Sequence, residues 1–391
     1  MREPSSIAQP VLAGVVCGIV GFTSSFAVVL TGLAAVGATP DQAASGLAVL
    51  CVTMGLGCVL LSLRHRAPVT TAWSTPGAAL LTTAVVPDGG FTAAVGAFVV
   101  TGILLTLSGL VPAFGNLVRR IPTPIANAML AGVLLGLCVA PFRDLAQHPA
   151  TIAPIVLTWL VLLRLARRWA VPGALLAAVL VMAVTGAFGA VSAGQLVPRL
   201  VWTTPGFSSI AAVVAVAVPL YIVTMTSQNI PGIAVLQSFG YAAPVRSSLA
   251  YTGAATVAGA PFGGHAINLS AIAAALAAGP EAGPDKSRRW IAGVVCGVVY
   301  CAFGPASRAV SALSQAAPPG LLAAVAGLAL VATFAGAASS AMGDAVHRDS
   351  AAVTFLVAAS GFSVAGIGAA FWALIAGLVV HGVTTVVRRT G

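Results

Sequence analysis

Charge is what this sequence has least of. Only 7% of its 391 residues are charged and 59% are hydrophobic, whereas about a quarter of the residues in a soluble domain are charged. So few charged side chains cannot cover a globule in water, which excludes the soluble classes. Apolar stretches of roughly 18 to 25 residues recur along the chain, each long enough to cross a hydrocarbon core of about 30 Å as a helix. The sequence therefore predicts an all-α polytopic membrane protein.

Carboxylates are absent from the middle of every apolar stretch. The Asp and Glu residues fall in the N-terminal tail, in turns or at the ends of stretches: Glu3, Asp41, Asp88, Asp144, Glu281, Asp285, Asp344 and Asp349. The cysteines show no CxxC or Cys/His spacing, and HExxH, a nucleophile elbow and paired intramembrane acids are all missing. We therefore expect no metal site, no cofactor and no enzyme, and no carboxylate relay for protons at the membrane centre.

Basic residues lie mainly in turns between the apolar stretches. If the chain has fourteen membrane segments, all Lys and Arg residues except Arg143, Arg199 and Arg308 lie on the side of both termini. Because cytoplasmic loops are rich in Lys and Arg, both termini are predicted to be cytoplasmic. The positive net charge is thereby explained by membrane topology, and no binding of nucleic acid is predicted from it. The first apolar run is interpreted as a retained helix, not a cleaved signal.

The two halves of the chain resemble each other. Pro122 and Pro124 open one apolar stretch, and Pro318 and Pro319 open another about 195 residues later. Seven segments per half is an odd number, so the second half would be inverted relative to the first. Many secondary transporters have such inverted repeats, with substrate at the midplane. Chance similarity between apolar helices is the alternative explanation.

Two segments at matching places in the halves break the helical pattern. In the third (68–86), β-branched residues precede Ser74-Thr75-Pro76-Gly77, where a hydroxyl at the N-cap and a proline, Pro76, at the first helical position mark a helix start. In the tenth (261–279), APFGGH keeps the backbone open and NLSAIAAALAA permits a helix. We therefore predict two half-helices whose N-termini point at each other across the midplane. The alternative is that proline and glycine only kink two continuous helices.

A pair of opposed helix N-termini is suited to an anion. Each offers unpaired N–H donors and roughly half a positive charge. Non-helical backbone at membrane depth also requires a surrounding protein or a water-lined cavity. The sequence therefore predicts a cavity that binds a carboxylate.

Neutral polar side chains mark two further segments. The eighth (208–238) contains Gln228 and Asn229 just before a Pro-Gly pair. Side-by-side amides inside a span face a cavity or hold another helix, and both interpretations stay open. The first segment (10–36) has a hydroxyl at Ser25 near Phe22, which would supply an aromatic wall unless it faces lipid or the core.

His265 is the one histidine that the segmentation places near the midplane. An imidazole changes charge near neutral pH, and a positive ring would pair with an anionic guest. An ionisable group inside a membrane is a functional candidate by default. A neutral histidine that is hydrogen-bonded for structural reasons is the alternative.

The motifs SQNIPGIAVL, WSTPGAALL and PFGGHAINLSAI resemble the benzoate membrane transporter family, proposed proton symporters of aromatic carboxylates in bacterial inner membranes. The resemblance covers essentially the whole chain. It implies the seven-plus-seven inverted repeat of uracil permease and of sulfate-type anion carriers, with short antiparallel strands in the third and tenth segments. It also implies a core domain of residues 1–120 and 201–305, a gate domain of residues 121–200 and 306–391, and compatibility with a homodimer through the gate domains.

The residues and the resemblance together predict the substrate site. It would contain Phe22, Ser25, Trp73, Ser74, Thr75, Gln228, Asn229, Gly264, His265 and Asn268. The carboxylate would rest on N–H groups after Thr75 and around Asn268, with Trp73 and Phe22 facing the ring. Uracil permeases carry acids where this chain has Gln228 and His265, and an acid would repel an anionic guest.

We therefore predict a multi-pass transporter that imports benzoate or a related aromatic carboxylate with a proton across the bacterial inner membrane by alternating access. Proton coupling is assigned to His265 and Gln228. In one version protonated His265 neutralises the anion, and in the other the anion takes its proton from cavity water. A sulfate-type anion exchanger or channel and a nucleobase permease of the same fold are the alternatives.

Overall fold

A computed structural model describes residues 7–84, 89–111, 121–207, 210–364 and 367–390. Apolar helices make up most of it. In chain order the helices are α1 (Ala8–Thr23), α2 (Phe26–Ala35), α3 (Pro40–His65), α4 (Thr75–Leu81), α5 (Phe91–Leu110), α6 (Thr123–Gln147), α7 (Pro149–Leu165), α8 (Ala170–Val184), α9 (Ile210–Thr224), α10 (Ile230–Ser238), α11 (Val245–Gly259), α12 (Ala271–Ala278), α13 (Trp290–Phe303), α14 (Ser307–Ala316), α15 (Leu321–Gly343), α16 (Arg348–Ala359) and α17 (Ala369–Thr390).

The described part of the chain contains seven helical stretches that are long and apolar enough to cross a membrane. The number rises to eight if Lys286–Phe303 and Ser307–Ala316, which meet at 60°, form one span. Pro149–Leu165 and Ala369–Thr384 are shorter apolar helices. The all-α polytopic class is thereby confirmed, whereas the count of fourteen segments and the inverted repeat stay predictions.

Two short strands pair at the centre of the fold. Strand β1 (Thr71–Trp73) runs antiparallel to β2 (Ile267–Leu269), with Ala72 opposite Asn268. Helix α4 follows β1 directly and α12 follows β2 after Ser270. Because the strands are antiparallel, the two helices leave the pair in opposite directions. The strands that the family resemblance implies are therefore present, one in each half of the chain.

The remaining helices pack in two sets around this centre. Helices α1 and α3 pack on α13, and α5 packs on α9 and α11. Helix α15 packs on α6, α7 and α8, while α16 packs on α6 and α17. Contacts between α15 and α2, α4 and α6, and α1 and α8 join the two sets. The division into a moving core domain and gate domain stays a prediction.

Glycines bring several of these elements into backbone contact. A Cβ on Gly55 of α3 would lie 2.6 Å from the carbonyl oxygen of Gly297 in α13, and a Cβ on Gly32 of α2 would overlap the carbonyl of Ala78 in α4. Small residues permit such close approach in membrane helices, where dispersion contacts hold the structure together. The half-helix α4 is thus fixed tightly against α2.

Candidate functional site

The first segment is interrupted at Ser24 and Ser25, between α1 and α2. The hydroxyl oxygen of Ser25 accepts hydrogen bonds from Trp73 Nε1 at 2.8 Å and from Thr75 Oγ1 at 3.1 Å. A serine hydroxyl has two acceptor positions and one proton. Because both acceptor positions of Ser25 are filled, its proton is the group left to donate.

Helix α4 begins at Thr75 with Ser74 as its N-cap. Ser74 Oγ accepts from the Gly77 N–H at 3.1 Å and lies 2.8 Å from Thr224 Oγ1. The helix therefore starts one residue before the predicted Pro76, which occupies the second helical position. By its position, the Thr75 N–H has no partner within the helix.

Helix α12 begins in the same way, with Ser270 as its N-cap. Ser270 Oγ accepts from the Ala273 N–H at 3.1 Å, and the Ser270 carbonyl accepts from Ala274. The N–H groups of Ala271 and Ile272 precede any intrahelical partner. The free donors at this end thus belong to residues 271 and 272.

The sequence analysis predicted these N–H donors around Asn268. The structure places Asn268 in strand β2 instead. With its amide oriented to satisfy its neighbours, the side-chain nitrogen donates to the carbonyls of Ala72 at 3.0 Å and Trp73 at 3.3 Å. The side chain is fully buried. Asn268 therefore holds the two strands together, and the helix end is formed three residues later.

The eighth segment contains a π-helical turn, Met225–Asn229, between α9 and α10. Pro231 has no N–H to complete the α-helical bond to the Ser227 carbonyl, which favours such a turn. Within it, Gln228 lines a cavity, whereas Asn229 is fully buried and its Oδ1 accepts from the Leu269 N–H at 2.9 Å. The adjacent amides thus face different neighbours: one faces the cavity and the other faces β2.

These elements enclose a small cavity of about 50 Å³, which we call the polar cavity. Its walls include Ser24, Ser25, Trp73, Thr75, Gln228 and Ser270. None of its lining residues is charged. Because one water needs about 10–15 Å³ of cavity space and benzene binds in a cavity of about 150 Å³, this space suits a water or a carboxylate group and not an aromatic ring.

His265 lies behind the polar cavity and is fully buried. Its Nε2 is 3.1 Å from the carbonyl oxygen of Ser74, to which it donates, and its ring packs edge-on against Phe98. Its Nδ1 has no hydrogen-bond partner among the described residues. His265 is therefore placed to orient the start of α4, and Ser74 separates it from the cavity.

Two other predicted site residues also lie outside the lining. The ring of Phe22 contacts Trp73 edge-on, with centroids 5.7 Å apart. Gly264 donates its N–H to the Gly259 carbonyl, and a Cβ there would lie 2.9 Å from Val49 Cγ1. Phe22 thus borders the site, while Gly264 belongs to the turn before β2.

The cavity also contains residues that the sequence did not single out. Tyr300 of α13 is almost fully buried, and its phenol lies against Gly21, where a Cβ would overlap it. Cys17 and Ile272 line the same space. A lone tyrosine in an apolar segment carries no indication of the face it occupies, so only the packing reveals it.

Comparison with known proteins identifies relatives along the whole chain. Residues 5–383 match the family model described as benzoate membrane transport protein. The chain is 39% identical to the inner membrane protein YdcO of Escherichia coli (strain K12), over 95% of both chains. It is 32% identical to the benzoate membrane transport protein of Acinetobacter baylyi, over 83% of this chain and 82% of that one.

Solved structures resemble the fold at low sequence identity. The transmembrane domain of the cyanobacterial bicarbonate transporter BicA aligns with a TM-score of 0.59 at 16% identity, covering 96% of this chain and 98% of that one. The murine solute carrier 26 family member A9, an anion transporter in the inward-facing state, aligns with a TM-score of 0.68 at 13% identity, covering 100% and 70%. At these identities the likeness concerns the fold alone.

Proposed function

The chain belongs to the benzoate membrane transport protein family, and on that premise we propose that it imports benzoate or a closely related aromatic carboxylate with a proton across the bacterial inner membrane. One observation carries the proposal. The polar cavity lies where two half-helices begin and has hydroxyl and amide groups but no charged side chain in its walls. Helix N-termini with N–H and O–H donors stabilise an anion without a buried cation.

In this proposal the carboxylate accepts hydrogen bonds from backbone and side chains together. The Thr75 N–H reaches it from one helix start and the Ile272 N–H from the other, with Ser25 and Gln228 donating from the walls. Trp73 and Phe22 face the ring. Ser74, Asn229, His265 and Asn268 hold the two helix starts in place through the contacts described above.

The proton has two routes. A proton on His265 would act on the anion through Ser74, because the imidazole contacts the Ser74 carbonyl and does not line the cavity. In the second route the proton enters with the anion itself or with water in the cavity. The contact of His265 with the Ser74 carbonyl supports the second route, in which we propose that His265 has a positioning role and that Gln228, which does not titrate, binds the carboxylate.

Transport would follow from alternating access of core and gate domains. Only a ligand that binds two conformations with different affinity shifts their equilibrium, so coupling requires that proton and anion together favour the mobile state. We propose that both termini are cytoplasmic, as the distribution of basic residues predicts. The second candidate is exchange of small inorganic anions, which the bicarbonate and anion transporters of the same fold favour.

The test is uptake of labelled benzoate into proteoliposomes with and without an inward proton gradient, in the presence of unlabelled uracil, sulfate or bicarbonate. We expect accumulation only with the gradient and competition only from aromatic carboxylates. Equal accumulation of benzoate with and without the proton gradient would contradict symport. Competition by sulfate or bicarbonate would favour the anion exchanger.

His265→Gln separates the two proton routes. Glutamine keeps a side-chain N–H for the Ser74 carbonyl but does not titrate near neutral pH. Under the second route this variant accumulates benzoate with the gradient, and His265→Ala, which loses the bond, transports less. Loss of gradient-driven accumulation in both variants, with uptake down the benzoate gradient retained, would make His265 the proton carrier.

A further inference from the structure

A second cavity lies beside the polar cavity. It has a volume of about 260 Å³ and lies between α1, α2, α8, α13, α14 and α15. Phe22, Phe26, Met182, Phe303 and Val325 are among the side chains that line it. We call it the apolar cavity.

The two polar residues in its walls are both satisfied by their own helices. Thr23 Oγ1 donates to the Ile19 carbonyl at 2.7 Å, and Ser314 Oγ donates to the Val310 carbonyl at 2.8 Å. Every other lining residue is apolar. The apolar cavity therefore offers no free donor to an anion and suits a hydrocarbon group.

The two cavities share one wall, the break in the first segment. Ser24 and Ser25 line the polar cavity, while Phe22, Thr23 and Phe26 line the apolar cavity. The Phe22 ring stacks on Phe303 at a centroid distance of 4.2 Å and meets Trp73 edge-on. A single aromatic side chain, Phe22, thus stands between the apolar cavity and the tryptophan of the polar cavity.

Volume decides where an aromatic ring can go. An engineered apolar cavity of about 150 Å³ binds benzene, so the apolar cavity, at about 260 Å³, accommodates a substituted ring. The polar cavity, at about 50 Å³, does not. We propose that the apolar cavity is the ring subsite of the transporter, reached when Phe22 turns aside, while the carboxylate stays in the polar cavity. This inference rests on the proposed function and names the residues that select the substrate.

The position of the ring subsite links substrate size to movement. Its walls come from α1 and α13 on one side and from α8 and α15 on the other, which belong to the predicted core and gate domains respectively. A ring in this cavity contacts both, so its fit changes the relative stability of the conformations. A small inorganic anion fills the polar cavity alone and leaves these contacts unmade.

Met182 allows the ring subsite to be made larger or smaller from one position. Met182→Ala enlarges the cavity and Met182→Trp fills it. In proteoliposomes we expect Met182→Ala to bind 2-naphthoate, measured by competition with labelled benzoate, about tenfold more tightly than the parent chain does. We expect Met182→Trp to raise the KM for benzoate about tenfold and to weaken 2-naphthoate further.

Leu180→Ala and Leu180→Trp are matched controls on the same helix, because Leu180 is 58% exposed on the outer surface and Met182 is 4% exposed. Both should behave as the parent chain. Met182→Phe replaces the tryptophan variant if the latter elutes as aggregate in size-exclusion chromatography.

A folded Met182→Trp or Met182→Phe variant with unchanged KM for benzoate, together with unchanged 2-naphthoate competition in Met182→Ala, would overturn the ring subsite. The cavity would then hold a lipid chain or remain unoccupied during transport. Failure of the proposed function has a different signature: the parent chain itself would not take up benzoate.

Discussion

The two strand–helix units at the centre of the fold share one design but differ in their surroundings. In the first (Thr71–Leu81) and the second (Ile267–Ala278), a serine N-cap accepts from the N–H three residues later at 3.1 Å. Ser74 also contacts Thr224 and accepts from His265, whereas the only partner of Ser270 Oγ among the described residues is the Ala273 N–H. The first N-cap side chain therefore has one more partner than the second, while the second unit is held through its strand, where Leu269 donates to Asn229 and Ile267 donates to Thr256.

The two half-helices also differ in the exposure of their large apolar side chains. Leu80 in the first half-helix is 2% exposed, whereas Ile272 in the second is 66% exposed and lines the polar cavity. The two half-helices therefore differ in how fully their apolar side chains are packed.

The largest expected effect compares these two apolar side chains. Leu80→Ala removes a fully packed side chain and should lower the free energy of unfolding by about 2–5 kcal/mol. Ile272→Ala should change it by less than about 0.5 kcal/mol, because an exposed position leaves no cavity. Thermal unfolding of the purified variants in detergent measures both. Equal losses would contradict the difference in packing between the two half-helices.

The second-largest loss of stability is expected where Gly32 of α2 contacts the backbone of α4. In Gly32→Ala the new methyl overlaps the Ala78 carbonyl, which cannot move without displacing α4. Overpacking of this kind costs about 1–3 kcal/mol.

Gly232→Ala is the matching change behind β2. Its Cβ would lie 2.9 Å from Leu269 Cβ, so we expect a smaller loss than for Gly32→Ala. Gly136→Ala is the control, since its Cβ would meet no described atom within 4 Å, and the substitution should not destabilise the protein. Thermal unfolding measures all three variants. A lower unfolding temperature for Gly232→Ala than for Gly32→Ala would contradict the closer backbone contact behind the first half-helix.

The adjacent amides of the π-helical turn separate binding from folding. Asn229→Leu leaves the buried Leu269 N–H without its acceptor and should cost about 1–3 kcal/mol of stability. Gln228→Leu should keep the unfolding temperature but weaken benzoate binding about tenfold, the effect of losing a hydrogen bond worth about 1.4 kcal/mol. Isothermal titration and thermal unfolding on both variants test this. If Asn229→Leu instead weakened binding and Gln228→Leu lowered the unfolding temperature, Asn229 rather than Gln228 would contact the substrate.

The smallest difference is expected between the two N-caps. Ser270→Ala removes one cap and should cost about 1 kcal/mol. Ser74→Ala removes a cap and also the partner of the Thr224 hydroxyl, so we expect the larger loss of the two. Denaturation of the two variants side by side shows whether the extra contact stabilises the first unit.

The sequence identified some of these features because they rest on local chemistry. A hydroxyl before a proline marks a helix start, and the structure has a helix there, but it begins at Thr75 with Ser74 as its N-cap, one residue before the predicted start at Pro76. Apolar stretches identified the all-α membrane class for the same reason. The strands, by contrast, are too short to show an alternating pattern and were expected only from the family resemblance.

Contacts between distant segments lay beyond sequence reasoning. Whether His265 faces the cavity or the Ser74 carbonyl depends on how two segments 191 positions apart pack. The same holds for Tyr300 and for the different neighbours of Gln228 and Asn229. Apolar periodicity also cannot reveal a π-helical turn, which shifts the face of the residues that follow it.

The most direct test of the central claim is an experimental structure of the protein with 4-iodobenzoate, in which the iodine marks the ring. We predict the carboxylate within about 3 Å of Ser25 Oγ and of the N–H groups that begin α4 and α12, and the iodine in the apolar cavity with Phe22 turned aside. A carboxylate bound away from both helix starts, or an iodine on the opposite side of the polar cavity, would contradict the account.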